Sequence, residues 1–154
     1  MQKHYLEQYK RVKRWHERFK SIDEGKDHNI ASDYYQDEIY AFFINCHHLK
    51  DWIISEPAIG INKDEIENFI NKSEYLSICA DLCIGSKHLI IKSPRKDAQT
   101  KINKRSFSLE IGGESPRISV RYKVESQGRT YDAFDLATKS LKKWENFLKS
   151  KKLL

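Results

Sequence analysis

Residues 33–55, DYYQDEIYAFFINCHHLKDWIIS, decide the fold. Tyr35, Ile39, Phe42, Cys46, Leu49 and Ile53 recur there in steps of four and three. That spacing puts all six on one stripe of an α-helix, whereas a strand would alternate with period two. A stripe of this length has to be covered by other helices, so the sequence predicts a mainly α protein. Pro57 and Gly60 stop the helix, and Asp33 followed by Gln36 has capping-box spacing at its start.

On the N-terminal side, Tyr5, Tyr9, Val12, Trp15, Phe19 and Ile22 predict a helix over about His4 to Ile22, ended by Gly25 and the polar stretch through Asn29. Lys10, Arg11, Lys13, Arg14, Arg18 and Lys20 make its wet side basic. On the C-terminal side, Asn62 precedes Glu65 by three and opens a short helix with Ile66, Phe69 and Ile70. Ser73 then caps a fourth helix to about Leu89, packing through Tyr75, Ile78, Cys79, Leu82 and Leu89.

From Lys92 the helical period is lost. Residues 92–105 read as a basic loop around Pro94, and Phe107, Leu109 and Ile111, then Ile118, Val120, Tyr122 and Val124, alternate as strands do. Gly112, Gly113 and Pro116 supply one turn, Gly128 a second, before a short strand at Thr130 and Tyr131. Asp132 caps a last helix carrying Phe134, Ala137, Leu141, Trp144 and Leu148. The expected architecture is a bundle of four to five helices, about 4–91 and 132–150. A small antiparallel β-element of two to three strands, 106–131, is inserted before the C-terminal helix.

The chain has 154 residues, 32% charged and 39% hydrophobic, with a net charge of +6. That length suits a single domain around one core. The positive balance favours polyanions through counterion release and serves solubility equally well. No run reaches the roughly 18 apolar residues of a membrane span, and the polar N-terminus does not resemble a signal peptide, so a cytoplasmic protein without a membrane partner is expected. Cys46, Cys79 and Cys83 are odd in number and lie in helical stretches, which argues against a disulfide scaffold. Cys79 and Cys83 lack the close knuckle spacing of structural zinc, and no phosphate-binding glycine loop or nucleophile elbow occurs, so neither metal nor cofactor is expected.

Three groups of residues invite chemistry. Asp81, Gly85 and His88 stand at i, i+4 and i+7 and would share one helical stripe. Gly85 inside a helix costs roughly 1 kcal/mol against alanine, a cost offset either by close helix packing or by a notch beneath His88. On the second helix, His47 and Asp51 are spaced to hydrogen-bond, and His47 or Lys50 would approach Asp81 and His88 if the two helices are antiparallel neighbours. Asp81, His47 and His88 could then perform acid–base work, with Lys50 and Lys87 holding a phosphate. Lys87, Lys92, Arg95, Lys96, Lys101, Lys104 and Arg105 face a single acid, Asp97, and with Arg117, Arg121, Lys123 and Arg129 could line a nucleic-acid backbone.

Lys87-His88 at the end of a late helix in a helical core resembles the HEPN superfamily, small four- to five-helix proteins, many of which dimerise and cleave RNA. The family signature pairs an arginine and a polar residue with a histidine four to six positions on. Cys83 and Ile84 stand at the first two positions here, and His88 at the last. Arg11 and His16 have the arginine-to-histidine spacing on the first helix instead. The resemblance implies an RNA-binding or metal-independent RNA-cleaving protein, of the kind found in bacterial defence or toxin modules, with His88 as acid or base and Lys87 on a phosphate. The alternative is a non-catalytic homodimer in which Gly85 permits tight packing and the basic loop docks an acidic partner.

Overall fold

Five α-helices and a three-stranded antiparallel sheet make up the computed structural model, which describes residues 3–25, 32–88, 92–110 and 117–154, with backbone alone at 32, 103–110 and 117–120. The helices are α1 (His4–Asp23), α2 (Ser32–Ile54), α3 (Lys63–Lys72), α4 (Glu74–Lys87) and α5 (Ala133–Ser150). Strands β1 (Lys101–Glu110), β2 (Arg117–Ser126) and β3 (Arg129–Asp132) lie between α4 and α5, in the order β1-β2-β3.

All six stripe residues of α2 are buried, Ile39, Phe42, Cys46, Leu49 and Ile53 completely. They meet the stripes of α1, α4 and α5 in one hydrophobic cluster, to which Ile102, Tyr122 and Val124 of the sheet belong. Aromatic rings fill its middle: Phe19, Phe42, Phe43 and Phe134 meet edge-on or tilted at 5.3–6.3 Å. Trp144 is enclosed by Phe69 and Phe147. Its indole N–H is buried without a partner among the described residues. The three cysteines are buried and free.

Caps set the helix starts. Asn62, Ser73 and Asp132 accept from the N–H of Glu65, Leu76 and Asp135 at 2.9, 3.3 and 2.9 Å. α2 starts at Ser32, so Asp33 lies inside its first turn. Asp132 is also paired with Lys123 at 3.6 Å. Asp132→Ala is expected to lower the free energy of unfolding by about 1 kcal/mol, read from the urea midpoint at unchanged slope.

α1 closes against both ends of the chain's path. The Tyr5 N–H donates to Glu56 Oε1 at 3.1 Å, just beyond α2, and Tyr5 Oη donates to the Leu153 carbonyl at 2.8 Å, 148 residues away.

Two expectations are corrected. α4 stops at Lys87, and His88 is its C-cap in an extended conformation (φ −126°, ψ 131°), so His88 does not continue the helical stripe of Asp81 and Gly85. Lys101, Lys104 and Arg105 are not loop residues: β1 starts at Lys101 and pairs with β2 across a register shift between Ile102 and Lys104. The register pairs Phe107 with Val120 and Leu109 with Ile118. Leu89, the turn at 112–116 and the stretch 26–31 lie outside the described residues.

Candidate functional site

α4 positions most of the residues in question. Leu76 to Cys83 are all buried, because α2, α3 and α5 close around this helix. Asp81 consequently points into the protein and is completely buried. A carboxylate so placed needs compensation. Three backbone amides of the following segment supply it: the N–H groups of Arg95 and Lys96 donate to Asp81 at 2.7 Å each and that of Asp97 at 2.9 Å. Asp81 thus anchors residues 95–97.

The same stretch is pinned twice more. Arg95 bonds Asn71 Oδ1 and forms an ion pair with Glu67, whose other oxygen accepts from Lys50 Nζ at 2.8 Å. Asp97 accepts from Gln99 and Gln127 N–H at 3.0 and 2.7 Å, which lowers its pKa. Gln127 and Gly128 both have positive φ, the geometry of a two-residue hairpin turn. Gln127 also donates through Nε2 to the Lys96 carbonyl at 3.0 Å, a bond that helps hold a conformation costly for a non-glycine residue.

Lys50 and Arg95 are therefore spent on Glu67, each with 16% of its side chain exposed. Burial pushes the Glu67 carboxyl up, and its two cationic partners outweigh that and hold it below the usual carboxylate range. His47 lies beside this network and is 8% exposed. Burial, then Lys50, Arg95 and His48, lower its pKa to about 3, with Glu67 acting the other way. The ring is neutral at physiological pH and brings no charge to a phosphate. Among the described residues no hydrogen bond joins it to Asp51, which is exposed and lines a separate hollow with His4, Trp52, Ser55 and Glu56. His48 instead approaches Cys83, with Nε2 3.8 Å from Sγ.

His88 is exposed at a concavity of about 250 Å³ lined by Tyr40, Gly85, Ala98, Gln99, Thr100 and Lys101. Gly85, half-buried on the last turn of α4, is part of this lining. Tyr40 comes from α2, where burial raises its hydroxyl pKa and a hydrogen bond with the Ile102 backbone lowers it. The far wall is held by Thr100, whose hydroxyl meets that of Ser126 at 2.9 Å. Gln99 and Lys101 also line an adjoining hollow of about 290 Å³ with Asp97, Glu125, Ser126, Gly128 and Thr130. Lys101 of the lining is exposed, as are Lys87, next to His88 in the chain, and Lys92, and Lys96 is half-buried. Among the described residues the ion pairs take up Lys50 and Arg95 and none of these four. The side chains of Lys104 and Arg105 lie outside the described residues.

The fold thus separates the predicted residues: Asp81 is a core anchor, His47, Lys50 and Arg95 share a half-buried network, and His88 stands in a concavity with Lys101. Tyr40, Gln99 and Thr100 carry no sequence signal, since the segment that brings two of them has no periodicity. Arg11 and His16 turn to different partners. Arg11 bonds Glu7 and Gln8 and lies over the Trp52 ring, while His16 stacks on Phe134 at 5.1 Å and meets Thr138 Oγ1 at 2.9 Å. Among the described residues no group of three or more His, Cys, Asp or Glu could hold a metal ion, and no helix is long and apolar enough to cross a membrane. No protein-family model, curated protein or solved structure matches the chain.

Proposed function

We propose that this protein binds single-stranded RNA across the His88 concavity and cleaves it without a metal, in the manner of the HEPN-like proteins its sequence resembles. The observation that carries this reading is an open imidazole beside a lysine that forms no ion pair among the described residues: His88 and Lys101 line one hollow, and Lys87, next to His88 in the chain, is exposed. A strand crossing it would lay a phosphate on Lys101 or Lys87, as point charges hold a backbone. Histidine is the side chain suited to moving a proton near neutral pH. His88 would take the proton of a ribose 2′-hydroxyl, whose oxygen attacks the adjacent phosphorus while the 5′-oxygen departs with a proton from water. Tyr40 would bound the hollow on the α2 side.

The test is cleavage and binding of a labelled single-stranded RNA by the wild type, His88→Ala and Lys101→Glu. His88→Ala is expected to lose about 100-fold or more of the cleavage rate while keeping most of the binding. Lys101→Glu is expected to weaken binding in a salt-dependent way. Equal cleavage by wild type and His88→Ala, or none by either, sinks the enzymatic part; unchanged binding in Lys101→Glu sinks the site.

A further inference from the structure

A second concentration of positive charge lies along the seam between α1 and α5, on elements that contribute nothing to the His88 concavity. The two helices run antiparallel: Tyr9 Oη donates to Glu145 Oε1 at 2.8 Å, and one turn pair further on His16 meets Thr138. Lys10 and Lys13 on α1, and Lys142 and Lys149 on α5, are all exposed beside these rungs. Lys142 and Lys149 stand three residues before and four after Glu145, so they share its side of the helix about 10 Å apart. Lys13 stands four residues after Tyr9, with its ammonium over the Tyr9 ring at 5.9 Å.

Charge at the seam is unbalanced. Arg11, Arg18, Lys20 and Lys139 are held by Glu7, Glu38, Glu24 and Asp135. Among the described residues Lys10, Lys13, Lys142 and Lys149 form no ion pair, and the Glu145 carboxylate in their midst already accepts the Tyr9 hydroxyl. Counting Glu17, one turn beyond Lys13, the patch stays positive.

We propose that this seam docks the sugar–phosphate backbone of a double-stranded nucleic acid. Neighbouring helix axes about 8–10 Å apart and lysines about 10 Å apart along one of them make a patch the size of two or three successive phosphates on one strand. Lysines on flexible stems suit phosphates and carry no base selectivity. The two rings at the seam are packed away, Tyr9 being buried and His16 stacked on Phe134, so the bases of a single strand find no platform to stack on. A duplex hides its bases and offers only backbone. This surface stands independently of the His88 reading.

The experiment is binding of a duplex of about 20 base pairs, RNA in one arm and DNA in the other, across a salt series. The wild type is expected to show log K falling with log salt at a slope of about −3 to −4. Lys142→Glu/Lys149→Glu is expected to reduce that slope by about 2 and to weaken binding at low salt at least about tenfold. Lys63→Glu/Lys72→Glu makes the same change in net charge on exposed positions of α3 and is expected to stay within about twofold. Lys142→Glu/Lys149→Glu is expected to keep single-stranded RNA binding within about twofold of the wild type, which separates this surface from the concavity. Equal weakening in the two double variants, or no duplex binding by the wild type, overturns the proposal.

Discussion

Asp81→Ala is expected to lower the free energy of unfolding by about 3 kcal/mol, because three amides of residues 95–97 lose their acceptor at a completely buried position. Asp81→Asn should be nearly as harmful, since its NH₂ faces donors where a carboxylate oxygen stood. Denaturant unfolding gives the size of the loss. Amide hydrogen exchange at 95–97 should accelerate beyond the global change, as the stretch detaches before the bundle melts. A loss under about 1 kcal/mol would mean that water satisfies these amides as well as the carboxylate does. Removing the anchor should also impair ligand binding at the concavity, whose wall at Ala98 to Lys101 follows directly on the anchored amides.

The second large effect is acid sensitivity centred on His47. Its folded-state pKa is about 3 and its ordinary value 6.5, so the unfolded chain takes up a proton that the folded protein refuses. The stability contribution of the neutral ring is complete above pH 6.5 and falls as pH drops from there toward 3. One proton gives a slope of up to about 1.4 kcal/mol per pH unit, so roughly 2 kcal/mol should disappear between pH 6.5 and 4.5. Half-buried His16, lowered first by burial, adds in the same sense. Glu67 acts in a lower window: its depressed pKa gives stability that is present above its ordinary 4.5 and lost as pH falls further. Urea unfolding of the wild type and His47→Gln at pH 7, 5.5 and 4.5 tests this. The variant should start less stable and change less with pH. A wild type equally stable at all three values would show that the ring is protonated in the folded protein.

The sequence made most of the helical frame legible, for identifiable reasons. The α2 stripe has strict helical spacing and every member is buried; Asn62, Ser73 and Asp132 are the capping types at the capping distance, and each accepts the expected amide. The candidate site was legible only in part. α4 is covered on nearly every side, so its apolar residues mark no preferred face and nothing local says that Asp81 turns inward. Its destination is settled by amides that arrive 14 residues later. His88 leaves the helix where the period would have carried it to Leu89. Lys50 and Arg95 look free in sequence because Glu67, which pairs with both, lies on α3, 17 and 28 residues away. Lys101 read as loop because the strand alternation is broken by the register shift after Ile102.

The Tyr5 hydroxyl bound to the Leu153 carbonyl has a consequence for how the molecule is made. α1 and α2 can pair as soon as both have left the ribosome, but the side of α1 that α5 covers stays bare until roughly 100 further residues have been translated, about 5–20 s at ordinary synthesis rates. During that interval the nascent chain leaves Tyr5, Tyr9 and the side of Phe19 that meets Phe134 without their α5-side partners.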